Sequence, residues 1–346
     1  MRGFGFAQHG DLERLAYVEL PVPVPGLAEV RVRIRAAGFN HLDRFTLGGI
    51  PGVAIALPHI LGSDGSGVVE SVGEGVDDLD VGTRVLLNPG MWDGTCPACV
   101  SGNEALCRNY RILGEHTQGT AAPFVVVPRR NVHLLPPGMS FVEGAAAPLV
   151  FLTSWRALVT VGRVGPGDRV AIIGAGGGVA TAAVQVAKLL GARVAVASRS
   201  SEKEARVRAL GADAFLTFSE TRPLDRALWE WSEKNGVDVI LDSVGAPTLP
   251  RSVRSLARAG RVVVIGASAG PTAEVDLRTL FWRQASILGS TMSSPGEFSE
   301  MYRRLAAGQL KPVVDTAMPF ERAAEAFRRF DAPDLFGKIV VHDPPG

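Results

Sequence analysis

Hydrophobic and polar positions divide this chain into two grammars. Up to about residue 150, short runs alternate apolar and polar residues (Val30–Ile34, Gly67–Val72, Arg84–Asn88 and Phe124–Val127) and are broken by Gly, Pro and Asp. Alternation at period two is the signature of half-buried strands, so this part reads as an antiparallel, barrel-like β domain with long loops. Pro136-Pro137-Gly138 marks a stop before a helix expected over Phe141–Ala147. From Phe151 the pattern changes to continuous apolar runs near residues 170, 194, 214, 238, 262 and 286, with helical periodicity between several of them. Six strand-helix units of this kind predict a doubly wound parallel α/β sheet. After Thr291 come helical segments at Pro295–Ala307 and Phe320–Phe330 and a closing strand at Lys338–Val341, a tail expected to pack back on the first domain. The expected division is therefore 1–150, completed by 292–346, around a second domain at 151–291.

The second domain is organised on Arg169–Lys188. An apolar, β-branched run (Val170–Ile173) meets a turn holding Gly174, Gly176, Gly177, Gly178 and Val179, and a helix follows with Ala182, Ala183, Val186, Ala187 and Leu190 on one face. Glycines let the backbone turn tightly and approach a ligand, and the helix N-terminus offers unpaired N–H groups and the positive end of its dipole to phosphate. The dinucleotide fingerprint G-x-G-x-x-G is met loosely, since Val179 and Ala180 follow Gly178 without a last glycine. A second strand, Arg193–Ala197, ends about twenty residues on, where the fingerprint expects a ribose-binding acid. Ser198 stands there instead, followed by Arg199 and Lys203. Hydroxyls, a guanidinium and an ammonium suit a 2′-phosphate, so the reading favours NADP(H), with NAD(H) possible. Val170–Ala187 is also uncharged and long enough to score as a membrane span, but four glycines and the repeated strand-helix units argue against one.

Composition narrows the function without naming it. The 346 residues are 46% hydrophobic and 21% charged, an ordinary balance for a two-domain protein. A net charge of +1 supplies no basic field for nucleic acid or membrane. Asp11, Glu13 and Arg14 interrupt the N-terminal stretch where a secretory signal needs its apolar core. Three cysteines clustered within twelve residues fit a reducing compartment, so a cytoplasmic location is expected.

Seven segments, AAGFNHLD (36–43), LPHILGSDGSGVVESVG (57–73), GTCPACVSGNEALC (94–107), AAAPLVFLTSW (145–155), the cofactor turn, ILGST (287–291) and GKIVV (337–341), run over nearly the full length. With them the chain resembles the medium-chain dehydrogenase/reductase family, which includes zinc-type alcohol dehydrogenases and quinone oxidoreductases. The resemblance implies a GroES-like β-barrel catalytic domain beside a Rossmann domain. It also implies that Thr153, Ser243, Gly266, Ala267, Ser290 and Thr291 line the cofactor. Lys338 either reaches the cofactor or lies on the surface.

The departures from the zinc alcohol dehydrogenases carry the functional reading. Those enzymes place a zinc-binding cysteine where this chain has Asn40, a histidine at Ser63 and an acid at Asp64, and a further ligand near Val150 is missing. Two neutral oxygen groups and one carboxylate make a poor zinc set. Leu42 and Phe45 stand where the proton relay belongs. The Asn40 pattern resembles the quinone oxidoreductases, with Asn40 and Asp64 as the catalytic candidates. Structural zinc is a different matter. Relatives use four cysteines spaced x2, x2, x7, and here Asp93, Cys96, Cys99 and Cys107 keep that spacing, so one structural zinc per chain is expected.

Without a Lewis acid, alkoxide formation has no evident device, whereas an electrophile already polarised by its own carbonyl can accept hydride with positioning as the main catalysis. The expected activity is an NAD(P)H-dependent reduction of quinones or activated C=C or C=O compounds, with a small-molecule electron acceptor as partner and a homodimer or homotetramer as the assembly. Two alternatives stay open. One is an alcohol or aldehyde dehydrogenase with an atypical metal set drawn from His41, His59 or Asp64. The other is a non-catalytic NADP(H) sensor or scaffold. His41, Asp43, His59, Asp64 and His116 are all read as loop residues and as minor candidates for the proton donor.

Overall fold

In this computed structural model, which describes residues 1–343, the chain divides into two units. The first takes Met1–Leu149, Ser294–Ala306 and the chain from Lys311 on, and the second takes Val150–Ser293 and Ala307–Leu310.

The first unit is built around one long strand, Glu29–Phe39. Its inward positions Val30, Val32 and Ile34 are buried while Arg31 and Arg33 turn outward, which is the alternation its sequence carries. Asp64–Val72 and Phe124–Pro128 pair antiparallel with it, and Arg84–Leu87 and Val132–Leu134 continue the sheet beyond Asp64–Val72. The closing strand Lys338–His342 also pairs antiparallel with it and carries Val314–Pro319 in parallel outside. A hairpin of Arg2–Phe6 and Leu15–Glu19, extended by His59–Ile60, adds a small three-stranded sheet that the alternation pattern did not single out. Phe4, Phe6, Phe39, Phe327, Ile339 and Val341 belong to the core that joins these layers. Gly38 is required by packing: a Cβ there would sit 2.1 Å from the Ala145 carbonyl, so only glycine lets the helix Phe141–Ala146 lie this close to the strand.

The second unit is a six-stranded, all-parallel sheet in the order Ala214–Thr217, Arg193–Ser198, Arg169–Ile173, Val237–Asp242, Leu256–Val264, Ser286–Gly289. This is the doubly wound α/β arrangement expected from the strand-helix alternation. The inner strands are mostly apolar because helices cover both faces of such a sheet, and Ala171, Ala195, Ile240 and Val262 are fully buried. The uncharged run near 170–187 resolves into the strand Arg169–Ile173, a glycine turn and the helix Gly178–Leu189. Among the described residues no helix is long and apolar enough to cross a membrane.

Two local expectations change. His41 and Asp43 do not sit in a loop but on the helix His41–Gly48, which at eight residues is too short to announce itself by periodicity. His59 and Asp64 are strand residues, at the start of His59–Ile60 and Asp64–Val72.

Candidate active site and metal centre

Strand register alone gathers the residues expected around the nucleotide. Ile173 pairs with Ala197 on one side and Asp242 on the other, Asp242 pairs with Val264, and Val264 with Gly289. In a parallel sheet that puts Gly174, Ser198, Ser243 and Ser290 in one row at the carboxyl edge, where such sheets bind ligands. Gly266 and Ala267 follow Ile265 in the same row, and the Ser243 carbonyl accepts bonds from the Ser268 N–H (3.2 Å) and hydroxyl (3.1 Å).

The turn itself fits a phosphate. Gly174 has φ +97°, a conformation that glycine adopts without strain, and a Cβ on Gly174 or Gly177 would meet nothing within 4 Å. Gly177 opens the helix Gly178–Leu189 without any side-chain cap, and its first turn holds no acid, so the leading N–H groups remain available to an anion. Thr153 is buried on the helix Pro148–Trp155, and the neighbouring Ser154 hydroxyl ties that helix to the turn by donating to the Val150 and Val179 carbonyls at 2.7 and 3.3 Å. Ser290 keeps a buried hydroxyl with no partner among the described residues, an orphan polar atom that a ligand would satisfy. Arg199 is exposed just past the end of its strand, Thr291 is exposed past Ser290, and Lys203 starts the helix Glu204–Ala209.

Asn40, Asp64 and Lys338 converge in the first unit for the same kind of reason. Gly38 faces Asp64 across one strand pair, and Ile339 faces Phe39 across the next, so Lys338 lies opposite Asn40. Side chains at alternate positions share a face, and all three point the same way. The Asn40 amide donates to Asp64 Oδ2 at 3.0 Å, and the Lys338 ammonium donates to Asp64 Oδ2 at 2.8 Å and to Asn40 Oδ1. Asp64 Oδ1 accepts the Leu149 N–H at 2.7 Å, in the first turn of the helix Pro148–Trp155. Exposure is 6% for Asn40, 0% for Asp64 and 3% for Lys338, so Lys338 is no surface residue. The lysine pairs across 274 residues of sequence, and nothing local to GKIVV announces its partner.

This set does not suit a catalytic zinc. Asn40, Ser63 and Val150 are not thiolate or imidazole donors, the Ser63 hydroxyl is buried without a partner, and an ammonium already occupies Asp64. A divalent cation would have to displace that ammonium.

Around the network lie the minor candidates. Asp43 accepts the Asn40 and Gly62 N–H groups at 2.6 and 2.7 Å, and burial pushes its carboxyl up to about 7. Glu115, which sequence reasoning passed over, is 6% exposed and is also raised to about 7, by burial first and then by the negative charge of Asp43. His116 approaches it at 3.6 Å. His59 is buried with its Nε2 on the Gly114 carbonyl at 3.0 Å, so the ring donates that bond as a satisfied structural histidine. His41 packs against the Phe330 ring at 4.9 Å.

The second metal candidate is well assembled. Ligand atoms of Asp93, Cys96, Cys99 and Cys107 all lie within 4.8 Å of one another, the one such group of His, Cys, Asp or Glu side chains among the described residues. His41, His59 and Asp64 form no comparable group. Cys96 and Cys99 sulfurs are 3.5 Å apart, close to the edge of about 3.8 Å that a tetrahedron with ~2.3 Å zinc–sulfur bonds requires. Asp93 is oriented by the N–H groups of Thr95 and Cys96 and by the Asn109 amide, which hold its carboxyl well below the usual range. Burial pushes the Cys99 thiol up to about 12, so without a metal that thiol keeps its proton. The donor set of one carboxylate and three sulfurs fits zinc.

Comparison with known proteins gives a consistent result. Residues 26–137 match an alcohol dehydrogenase GroES-like domain and residues 178–307 a zinc-binding dehydrogenase domain. A solved structure described as an NAD-dependent alcohol dehydrogenase superposes with a TM-score of 0.93 at 42% identity, covering 99% of this chain and 100% of that one. A zinc-type alcohol dehydrogenase-like protein of Schizosaccharomyces pombe is 31% identical over 90% of each chain. The quinone oxidoreductase of Homo sapiens is 29% identical over 89% of this chain and 87% of its own.

Proposed function

The chain belongs to the medium-chain dehydrogenase/reductase family and is an oxidoreductase, and from that premise we propose that it is a reductase without catalytic zinc. Its substrates are quinones or activated C=C and C=O compounds, and its preferred reductant is NADPH. The single observation that carries this reading is the closed Asn40–Asp64–Lys338 network, in which Asn40 and Asp64 stand where the resemblance implies metal ligands in zinc-dependent relatives.

The nucleotide supplies the hydride, and the chain supplies position and charge. Gly174, Gly176, Gly177, Gly178 and Val179 cradle the pyrophosphate at the helix N-terminus. Thr153, Ser243, Gly266, Ala267, Ser290 and Thr291 hold the nicotinamide half. Ser198, Arg199 and Lys203 meet the 2′-phosphate, and this set, rather than the nucleotide named for any relative, supports NADPH. One Asn40 N–H is spent on Asp64. The second donates to the acceptor oxygen, where negative charge develops as hydride arrives, and Asp64 holds the amide for that role. Solvent water returns the proton. Asp93, Cys96, Cys99 and Cys107 hold one structural zinc.

The test is nucleotide oxidation followed against a quinone and an enone, with NADPH and NADH in parallel, before and after chelation, alongside metal analysis. We expect NADPH consumption that survives chelation and one zinc per chain. Alcohol oxidation abolished by chelation, with two metals per chain, would replace the proposal by a metal-dependent dehydrogenase. Tight nucleotide binding without turnover would point to a sensor or scaffold.

A further inference from the structure

An asparagine amide is nearly symmetrical in shape, so its two ends must be told apart by their partners. The partners of Asn40 are of the most discriminating kind. Lys338 is a pure donor and meets Oδ1, and Asp64, a carboxylate fixed by the Leu149 N–H, meets Nδ2. Turning the amide over would set its N–H against an ammonium and its carbonyl against a carboxylate, both repulsive and both in a site shielded from water. The 2.8 Å contact between Lys338 and Asp64 closes the triangle and cancels the buried charge.

We infer that Lys338 and Asp64 act as a pair to lock the Asn40 amide in one orientation and leave its second N–H as the single oriented donor for the acceptor. This gives Lys338 a role, that of a positioning residue for Asn40, and it rests on the reading above that Asn40 meets the acceptor. The ammonium is bound to Asn40 and Asp64, where the resemblance implies metal ligands in zinc-dependent relatives, and in this reading it fixes the donor group. The pair also explains why a buried lysine is retained so deep in the sheet. A hydrophobic pair of similar volume would be as stable but would leave the amide free to turn.

Four substitutions and two combinations of them test this. Lys338→Met is expected to lower kcat roughly 10- to 100-fold with the acceptor KM changed less than about threefold, since a misdirected donor weakens the transition state rather than ground-state binding. Lys338→Arg is expected to recover most of the rate. In the Asn40→Ala background, adding Lys338→Met should cost almost nothing further, because the group it positions is gone. The double variant Lys338→Met, Asp64→Leu should regain the thermal midpoint that either single variant loses, with no regain of rate. A readout independent of turnover is the Asn40 side-chain amide in nitrogen-15 NMR, assigned by its loss in Asn40→Ala. It should give two proton signals displaced from those of a free asparagine amide, which move toward the free-amide positions in Lys338→Met and return in Lys338→Arg.

The inference is overturned if Lys338→Met and Asn40→Ala effects multiply, if Lys338→Met raises only the nucleotide KM, or if the Asn40 amide signals are unchanged in Lys338→Met. If the wild type proves metal-dependent, the function proposed above fails, while the amide signals still report on the lock by themselves.

Discussion

Glu115 shows how much one buried side chain can impose on the whole protein. Its carboxyl titrates near 7 instead of near 4.5 because burial and the charge of Asp43 both disfavour its ionised form, and His116 at 3.6 Å offers no compensating charge there, since burial lowers its own pKa. The folded state therefore holds the proton more tightly than the unfolded chain does. Raising pH from about 4.5 to 7 takes stability away, and the loss is complete above that window. A carboxyl displaced this far contributes on the order of 1–3 kcal/mol. Thermal unfolding between pH 5 and 8 should show the midpoint falling, and Glu115→Gln should flatten the fall, leaving the share due to Asp43, which titrates in the same range. An unchanged slope in Glu115→Gln would remove Glu115 from this role.

Among the elements, the strand Arg193–Ser198 is the one on which the proposed preference for NADPH rests. Its register with Arg169–Ile173 brings Ser198 and Arg199 past the same carboxyl edge as the glycine turn. A guanidinium bonded to phosphate contributes about 1.5–3 kcal/mol, so Arg199→Ala should raise the KM for NADPH by roughly 10- to 100-fold and leave that for NADH unchanged. Equal losses for both nucleotides in steady-state assays would place Arg199 away from the 2′-phosphate. This edge was legible in the sequence because most strands of the parallel sheet end in a short apolar run, followed directly by the residues that line the row. The helix His41–Gly48 was not, since its eight residues carry no apolar period and its start is fixed by the Asp43 carboxylate on the Asn40 N–H. Asn40 and Asp64 could be singled out by their place in recognisable segments. Their bond to Lys338 depends on the pairing of Glu29–Phe39 with Lys338–His342, a long-range contact that no local pattern encodes.

At the scale of the whole molecule, one sheet edge bears on assembly. Ser286–Gly289 ends the parallel sheet and, among the described residues, pairs only with Leu256–Val264. Beside it, Leu277, Phe281 and Trp282 are each about two-thirds exposed or more, at 68%, 66% and 71%. An unpaired edge flanked by large apolar side chains is a surface that proteins normally cover. The expected homodimer or homotetramer can use this edge, with two copies pairing across it. Light scattering coupled to size exclusion should then give an assembly of two or four chains for the wild type and a smaller one for Ile287→Lys with Trp282→Ser. An assembly that survives both changes would place the interface elsewhere.

The interruption of the first unit by the second has a consequence in time. Asp64 and Lys338 are separated by 274 residues, and a ribosome adding about 5–20 residues per second needs roughly 14–55 s to cover that interval. For all of it Glu29–Phe39 has one side without its closing strand, and Asp64 is without its counter-charge. The second unit, almost wholly contiguous at Val150–Ser293, can be finished meanwhile. Under the proposed function, the row at the carboxyl edge of the second unit is therefore complete before the strand Lys338–His342 emerges to set the Asn40 amide.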